Sequence, residues 1–295
     1  MSSGALCFPA FTMSPPALPW NALGAPVIFT GRGGSGTRLL SQLADELGLF
    51  IGNRVNRSGD SIEWVPLIYR MAVQSAVSPE LPLGSRYRSE ILAQADNVLH
   101  AAQERAPRAW GLKLPEAMLV LPLLIDAFPQ AKVVHLTRHP IAASLRRTHM
   151  TSRMDNAVGA ATLPNAYRDA SRDPGSIPAD EPYVHNACSW RYQVSRVVRY
   201  GRDALGAERY LELRYEDVCN DTAASIARVR AFIGHSGEGR AGAVAVDPSR
   251  VGGWDRSDPR VRTVWEICGE TAALLGYNLE QDAAGTDGGS AQQRE

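Results

Sequence analysis

Lysine is almost missing from this chain: of its 31 basic residues only Lys113 and Lys132 are lysine, and the others are arginine. With 31 acidic residues in balance, no net field draws the protein to nucleic acid or to an anionic membrane surface. The arginine bias suits a bidentate grip on phosphate oxygens, and it suits a GC-rich genome equally well. Cysteine is scarce too. Cys7, Cys188, Cys219 and Cys268 are far apart, with no CxxC spacing, so neither a zinc site nor a disulfide framework is expected and a reducing compartment is. The first residues are apolar and proline-rich but lack a basic region, which argues against a secretory signal. No later run is long enough to span a bilayer, so the expectation is a cytoplasmic protein without a membrane span. No His/Asp/Glu cluster has metal-ligand spacing, and no metal is expected.

A hydrophobic fraction of 44% in 295 residues is enough for a sizeable core. Residues 1–25 read as an irregular leader, 26–280 as one domain, and 281–295 as a disordered tail. Within the domain, Pro26–Thr30 is an apolar run closed by glycine, which predicts a buried strand, and the leucines of 39–47 recur at helical spacing. Further strands are predicted at 109–113, 132–137 and 210–215. Helices are predicted within 64–105, after Pro115 and Pro140, and over 190–200, 222–233 and 261–275. Residues 155–182, rich in Gly, Pro, Asp and Ala, read as a long loop. Strands alternating with helices predict an α/β fold, a P-loop-type three-layer sandwich with a mostly parallel sheet and helices on both faces.

The first strand runs into Gly31-Arg32-Gly33-Gly34-Ser35-Gly36-Thr37-Arg38 and then a helix. Strand, glycine-rich loop and helix together build an anion site: backbone N–H groups converge and the helix dipole adds positive potential. Ser35 and Thr37 add hydroxyl donors, and Arg32 and Arg38 add charge. A nucleoside-triphosphate loop needs Lys and then Ser/Thr after its last glycine, whereas Thr37 and Arg38 follow Gly36. A P-loop kinase or NTPase, which would bind ATP with Mg²⁺, is therefore disfavoured. At the end of strand 132–137, Arg138 precedes a helix carrying Ser144, the usual ligand edge of an open α/β sheet. Two anion sites on one sheet predict a ligand with two separated phosphates.

These stretches, in this order, resemble the sulfotransferases that use 3′-phosphoadenosine 5′-phosphosulfate (PAPS), in particular bacterial ones and the protein-tyrosine and heparan branches. Gly31–Arg38 resembles the family's 5′-phosphosulfate loop, and Arg138 and Ser144 match its 3′-phosphate pair. Leu213–Val218 resembles a later strand and turn, and Arg250-Val251-Gly252-Gly253-Trp254 its cofactor-closing loop, with Arg250 and Gly252 as binding residues. In one place the chain departs from the family: Gly34 stands where a Lys or Arg usually precedes Ser-Gly-Thr. Arg32 or Arg38 would then supply that charge, and a non-catalytic homologue binding PAPS or its product PAP is the alternative. The resemblance implies metal-free transfer to a hydroxyl or amine of a small-molecule, carbohydrate or lipid acceptor.

For catalysis the resemblance singles out Lys113 as a transition-state cation, in a Lys-x-Pro element, and Glu63 as general base. Asp60 and His149 stand as alternative bases. The competing readings are a strand-end lysine, a first-turn helix glutamate and, for Asp60, a helix N-cap. His135 reads as a core residue. Trp190, Trp254 and Trp265 read as packing residues, with Trp254 also placed to stack on adenine.

Overall fold

A computed structural model describes residues 20–78, 83–102, 105, 107–234, 239–248 and 251–279. The four strands β1 (Val27–Thr30), β2 (Gly111–Lys113), β3 (Lys132–Thr137) and β4 (Tyr210–Arg214) form one all-parallel sheet in the order β2-β1-β3-β4. A parallel sheet buries both faces, so its strands are continuous apolar runs. Ile28, Leu112 and Val133 pack into a large cluster on one face, while Val27, Phe29, Val134, Leu211 and Leu213 pack into a second on the other. The alternation along β1 is the period of two that places successive side chains on opposite sides.

The ten helices among the described residues are α1 (Arg38–Glu46), α2 (Val65–Val77), α3 (Leu83–His100), α4 (Leu121–Ala127), α5 (Pro140–Ser144), α6 (Ala157–Asp169), α7 (Pro182–Tyr200), α8 (Tyr215–Asn220), α9 (Thr222–Ile233) and α10 (Pro259–Leu274). Leucines of α1 and Val229 of α9 cover the smaller cluster. Helices α2, α3, α4, α6, α7 and α10 cover the larger. This is the three-layer α/β sandwich that the alternation of strands and helices predicts. His135 is fully buried, with Nδ1 2.7 Å from the Tyr210 hydroxyl.

Three stretches differ from the sequence reading. Residues 155–182 are not a structureless loop: they carry α6, a 3-10 turn over Pro174–Ser176 and the start of α7. Asn156 caps α6 by accepting from the Val158 and Gly159 amides, and Gly159 lets the helix start press against Arg153, whose carbonyl oxygen would lie 2.1 Å from a Cβ there. The internal Pro164 and the small residues hid the helical period. The run after Pro115 is a 3-10 turn (Pro115–Val120) before α4, because Pro122 restarts the helix near its first turn. At the N-terminus, Trp20–Leu23 forms a 3-10 turn rather than irregular chain. It is pinned by the Trp20 amide on Asp96 and by Trp20 packing edge-on to Phe128 at 5.3 Å. The predicted tail, 281–295, lies outside the described residues, as does Arg250.

Candidate active site

Because β1 lies between β2 and β3, the loop leaving its carboxyl end is flanked by the ends of both neighbours. On the β3 side emerge Arg138 and Ser144; on the β2 side emerge Lys113 and, one turn on, Glu116. This strand order reverses direction beside β1, the point where open α/β sheets bind ligands.

The glycine loop is shaped by what presses on it. Gly34 and Gly36 have φ of +93° and +85°, which other residues resist. A Cβ at Gly36 would sit 2.6 Å from the Tyr215 ring, and one at Gly33 2.2 Å from the His149 ring. Tyr215 also carries the Arg138 guanidinium 4.3 Å above its ring centre, so one side chain just after β4 packs against both the glycine loop and Arg138. Glu216, the next residue, accepts from the His139 amide at 2.9 Å and from the Tyr277 hydroxyl at 3.0 Å, fixing the turn after β3.

Arg32 is fully buried, and none of the ion pairs found among the described residues involves it. Its Nη2 donates to Ser152 Oγ and to Asn186 Oδ1, both at 2.7 Å, while Nε and Nη1 have no hydrogen-bond acceptor. Nη1 lies 3.2 Å from where a Cβ of Gly34 would stand, so the free edge of the guanidinium backs the loop. Burial lowers its pKa to about 10, and the group stays charged at neutral pH. The hydroxyls of Ser35 and Ser144 are likewise buried without partners. Asn186 of α7 links the two halves, since its Nδ2 donates to the carbonyls of Ser144 (3.0 Å) and Arg146 (3.3 Å). Buried polar groups are rarely left unsatisfied. A cation and two hydroxyls left open around one loop therefore point to an anionic ligand.

Two cavities meet at this loop. One, of about 550 Å³, is lined by Gly34, Gly36, Thr37, Arg38, Arg146 and Tyr215 and is closed by residues 245–247. Arg38 is exposed along it. The other, of about 720 Å³, is lined by Asp60, Tyr69, Glu116, His149 and Arg147. Gly34, Ser58 and Arg146 border both. Gly252, at φ +69°, belongs to the turn beyond 245–247, and Trp254 stacks on His139 with 4.4 Å between ring centres.

Lys113 is buried behind the second cavity rather than lining it, its Nζ donating to Asp60 Oδ1 at 2.5 Å and to the Ser58 carbonyl at 3.0 Å. Burial lowers its pKa, and the adjacent Asp60 carboxylate opposes that shift. Asp60 also accepts from Asn56 Nδ2, so its carboxylate is already engaged. Glu63 points elsewhere: Oε1 accepts from the Arg54 amide at 2.7 Å, which ties down the 52–54 turn, and Glu63 does not line the cavity. His149 Nδ1 accepts from the Thr151 amide and lies 2.8 Å from the Thr151 hydroxyl, and burial lowers the pKa of the ring to about 3. Glu116 was not singled out from the sequence. It is buried, accepts from the Tyr69 hydroxyl at 3.2 Å, and lies 3.9 Å from His149 Nε2. Burial pushes its pKa up to about 7, with Asp60 adding to the shift.

A buried cation and open hydroxyls near a glycine-rich strand-to-helix loop, beside a second cavity lined by the buried Glu116, make up the candidate site. The sulfotransferase family model matches residues 26–238, and the chain belongs to that family. Sulfotransferase STF9 from Mycobacterium avium shares the fold, at 16% identity over 88% of this chain and 78% of that one, with a TM-score of 0.50. A sulfotransferase from Alicyclobacillus acidocaldarius aligns at 16% identity over 86% of this chain and 96% of that one, with a TM-score of 0.47. No curated protein matches the chain. Among the described residues, no helix is long and apolar enough to cross a membrane.

Proposed function

We propose that the protein moves a sulfuryl group from PAPS to an acceptor hydroxyl, with PAPS in the 550 Å³ cavity and the acceptor beside Glu116. The observation that carries this reading is the buried, carboxylate-free Arg32 behind the glycine loop, together with the open Ser35 and Ser144 hydroxyls. A buried charge without its counter-charge is costly, and a bound anion removes the cost. The loop Gly33–Arg38 with Arg32 would hold the 5′-phosphosulfate end, and Arg138 with Ser144 the 3′-phosphate. Gly252 would flank the nucleotide. PAPS supplies a sulfuryl group already activated by its bond to the 5′-phosphate.

The chain's own residues then have separate tasks. Glu116, whose pKa burial raises to about 7, takes the acceptor proton as the acceptor oxygen bonds to sulfur and the sulfur–oxygen bond to the 5′-phosphate breaks, releasing PAP. The Tyr69 hydroxyl, donating to Glu116 Oε1 at 3.2 Å, orients that carboxylate. Arg32 supplies fixed positive charge where Gly34 departs from the family, and Lys113 holds Asp60 and the Ser58 carbonyl at the rim between the two cavities. Positioning and fixed charge of this kind are what transfer of a strongly anionic group requires.

Calorimetric titration with PAP tests the donor assignment. Metal-independent micromolar binding is expected, abolished by Arg138→Ala and not competed by ATP. Binding of ATP that requires Mg²⁺, with none of PAP, would overturn it.

A further inference from the structure

A third cavity, of about 780 Å³, lies on the far side of the 147–153 segment from Glu116 and shares Arg147, Thr148 and Arg153 with the 720 Å³ cavity. Its walls come from the stretch that the sequence presents as a loop. Pro164, Pro174, Pro178 and Pro182 line it, with Ile177 and Met154. Proline has no N–H to offer, so four prolines give a wall poor in hydrogen-bond donors.

Several polar groups of the same wall are engaged with one another or with the protein behind them, while Arg147 and Thr148 stand at the end shared with the 720 Å³ cavity. Asp180 accepts from Ser176 Oγ at 2.8 Å and pairs with Arg172 at 3.3 Å, and Arg153 pairs with Asp155. His185 Nε2 lies 3.0 Å from the Ile177 carbonyl, and Ser152 Oγ accepts from Arg32. Turn hydrogen bonds from the amides of Ser176, Ile177, Ala179 and Asp180 hold the segment in shape, so the cavity is built rather than incidental. A sugar placed here would lose its hydrogen bonds to water and find few replacements, whereas an apolar group would gain by leaving water.

Resting on the sulfotransferase reading above, we infer that this chamber takes the body of the acceptor, and that the acceptor is an alcohol with an extended apolar aryl or alkyl portion rather than a carbohydrate. Its hydroxyl sits at Glu116, its chain passes Arg147 and Thr148, and its apolar end fills the proline-lined chamber. The 780 Å³ volume is within the range of sites that enclose drug-sized ligands.

The test titrates the full chain, saturated with PAP, with phenylethanol, phenylbutanol and phenylhexanol, and with glucose as the polar comparison. Affinity is expected to rise about fourfold for each added methylene. Met154→Asp and Pro178→Asp, both at exposed wall positions, should flatten that rise while leaving phenylethanol binding unchanged. Affinity that does not depend on chain length, glucose binding tighter than the alcohols, or variants that keep the full rise would each overturn the inference. If PAP itself fails to bind, the donor assignment fails, and the same alcohol series on the PAP-free protein still decides the chamber's chemistry.

Discussion

Glu116→Gln is expected to lower sulfuryl transfer by roughly 10²- to 10⁴-fold, the usual contribution of a positioned general base, and to leave PAP affinity unchanged. Because burial lifts the Glu116 pKa from 4.5 to about 7, the wild-type rate should rise with pH through about 7, and a variant without a titrating base should lose that limb. The same shift has a stability consequence of opposite sign. A carboxyl whose folded pKa is raised binds its proton more tightly when folded, so it contributes stability below its unfolded pKa. That contribution fades as pH climbs from 4.5 to about 7. Above that window the wild type carries a buried carboxylate at a cost of about 3 kcal/mol, which glutamine avoids. Thermal melts at pH 8 should therefore place Glu116→Gln several degrees above the wild type, and melts at pH 4 should not. A variant that is both inactive and less stable at pH 8 would identify Glu116 as a structural carboxyl. Glu63→Gln, by contrast, should loosen the 52–54 turn and lower the melting temperature without removing the pH limb.

Arg32→Met is the second large effect. Without ligand, the variant should melt no lower than the wild type, since it removes a buried cation that no carboxylate offsets and costs only the bonds to Ser152 and Asn186. PAP affinity should fall about 10- to 100-fold, the range for a lost hydrogen bond to a charged group. Paired melting and calorimetric titration decide between this and a purely structural arginine, which would give the reverse pattern: a lower melting temperature and unchanged affinity in the folded fraction.

Much of this was legible in the sequence. The order of strands and helices and the glycine loop rest on local patterns of period and glycine, and these survive folding. What could not be read were contacts between distant segments. Glu116 looks like an ordinary first-turn acid after Pro115 until α2 brings Tyr69 against it and the 149–153 turn brings His149. Asn186 lies in an unremarkable helical run, and only its place between Arg32 and Ser144 gives it a role. The 155–182 stretch misled because Pro164, Pro174, Pro178 and Pro182, which suggest a loop in isolation, line a wall held by its own side chains. Tyr215 was visible as part of a motif, but its double duty against Gly36 and Arg138 was not.

The meeting of two cavities at the glycine loop has a kinetic meaning. The cavity proposed for the donor and the one proposed for the acceptor have only Gly34, Ser58 and Arg146 in common among their lining residues. With donor and acceptor placed as proposed, neither would have to leave for the other to enter, and turnover is expected to be sequential, through a ternary complex. Spent nucleotide left in its cavity would then compete with incoming donor while leaving the acceptor's place open.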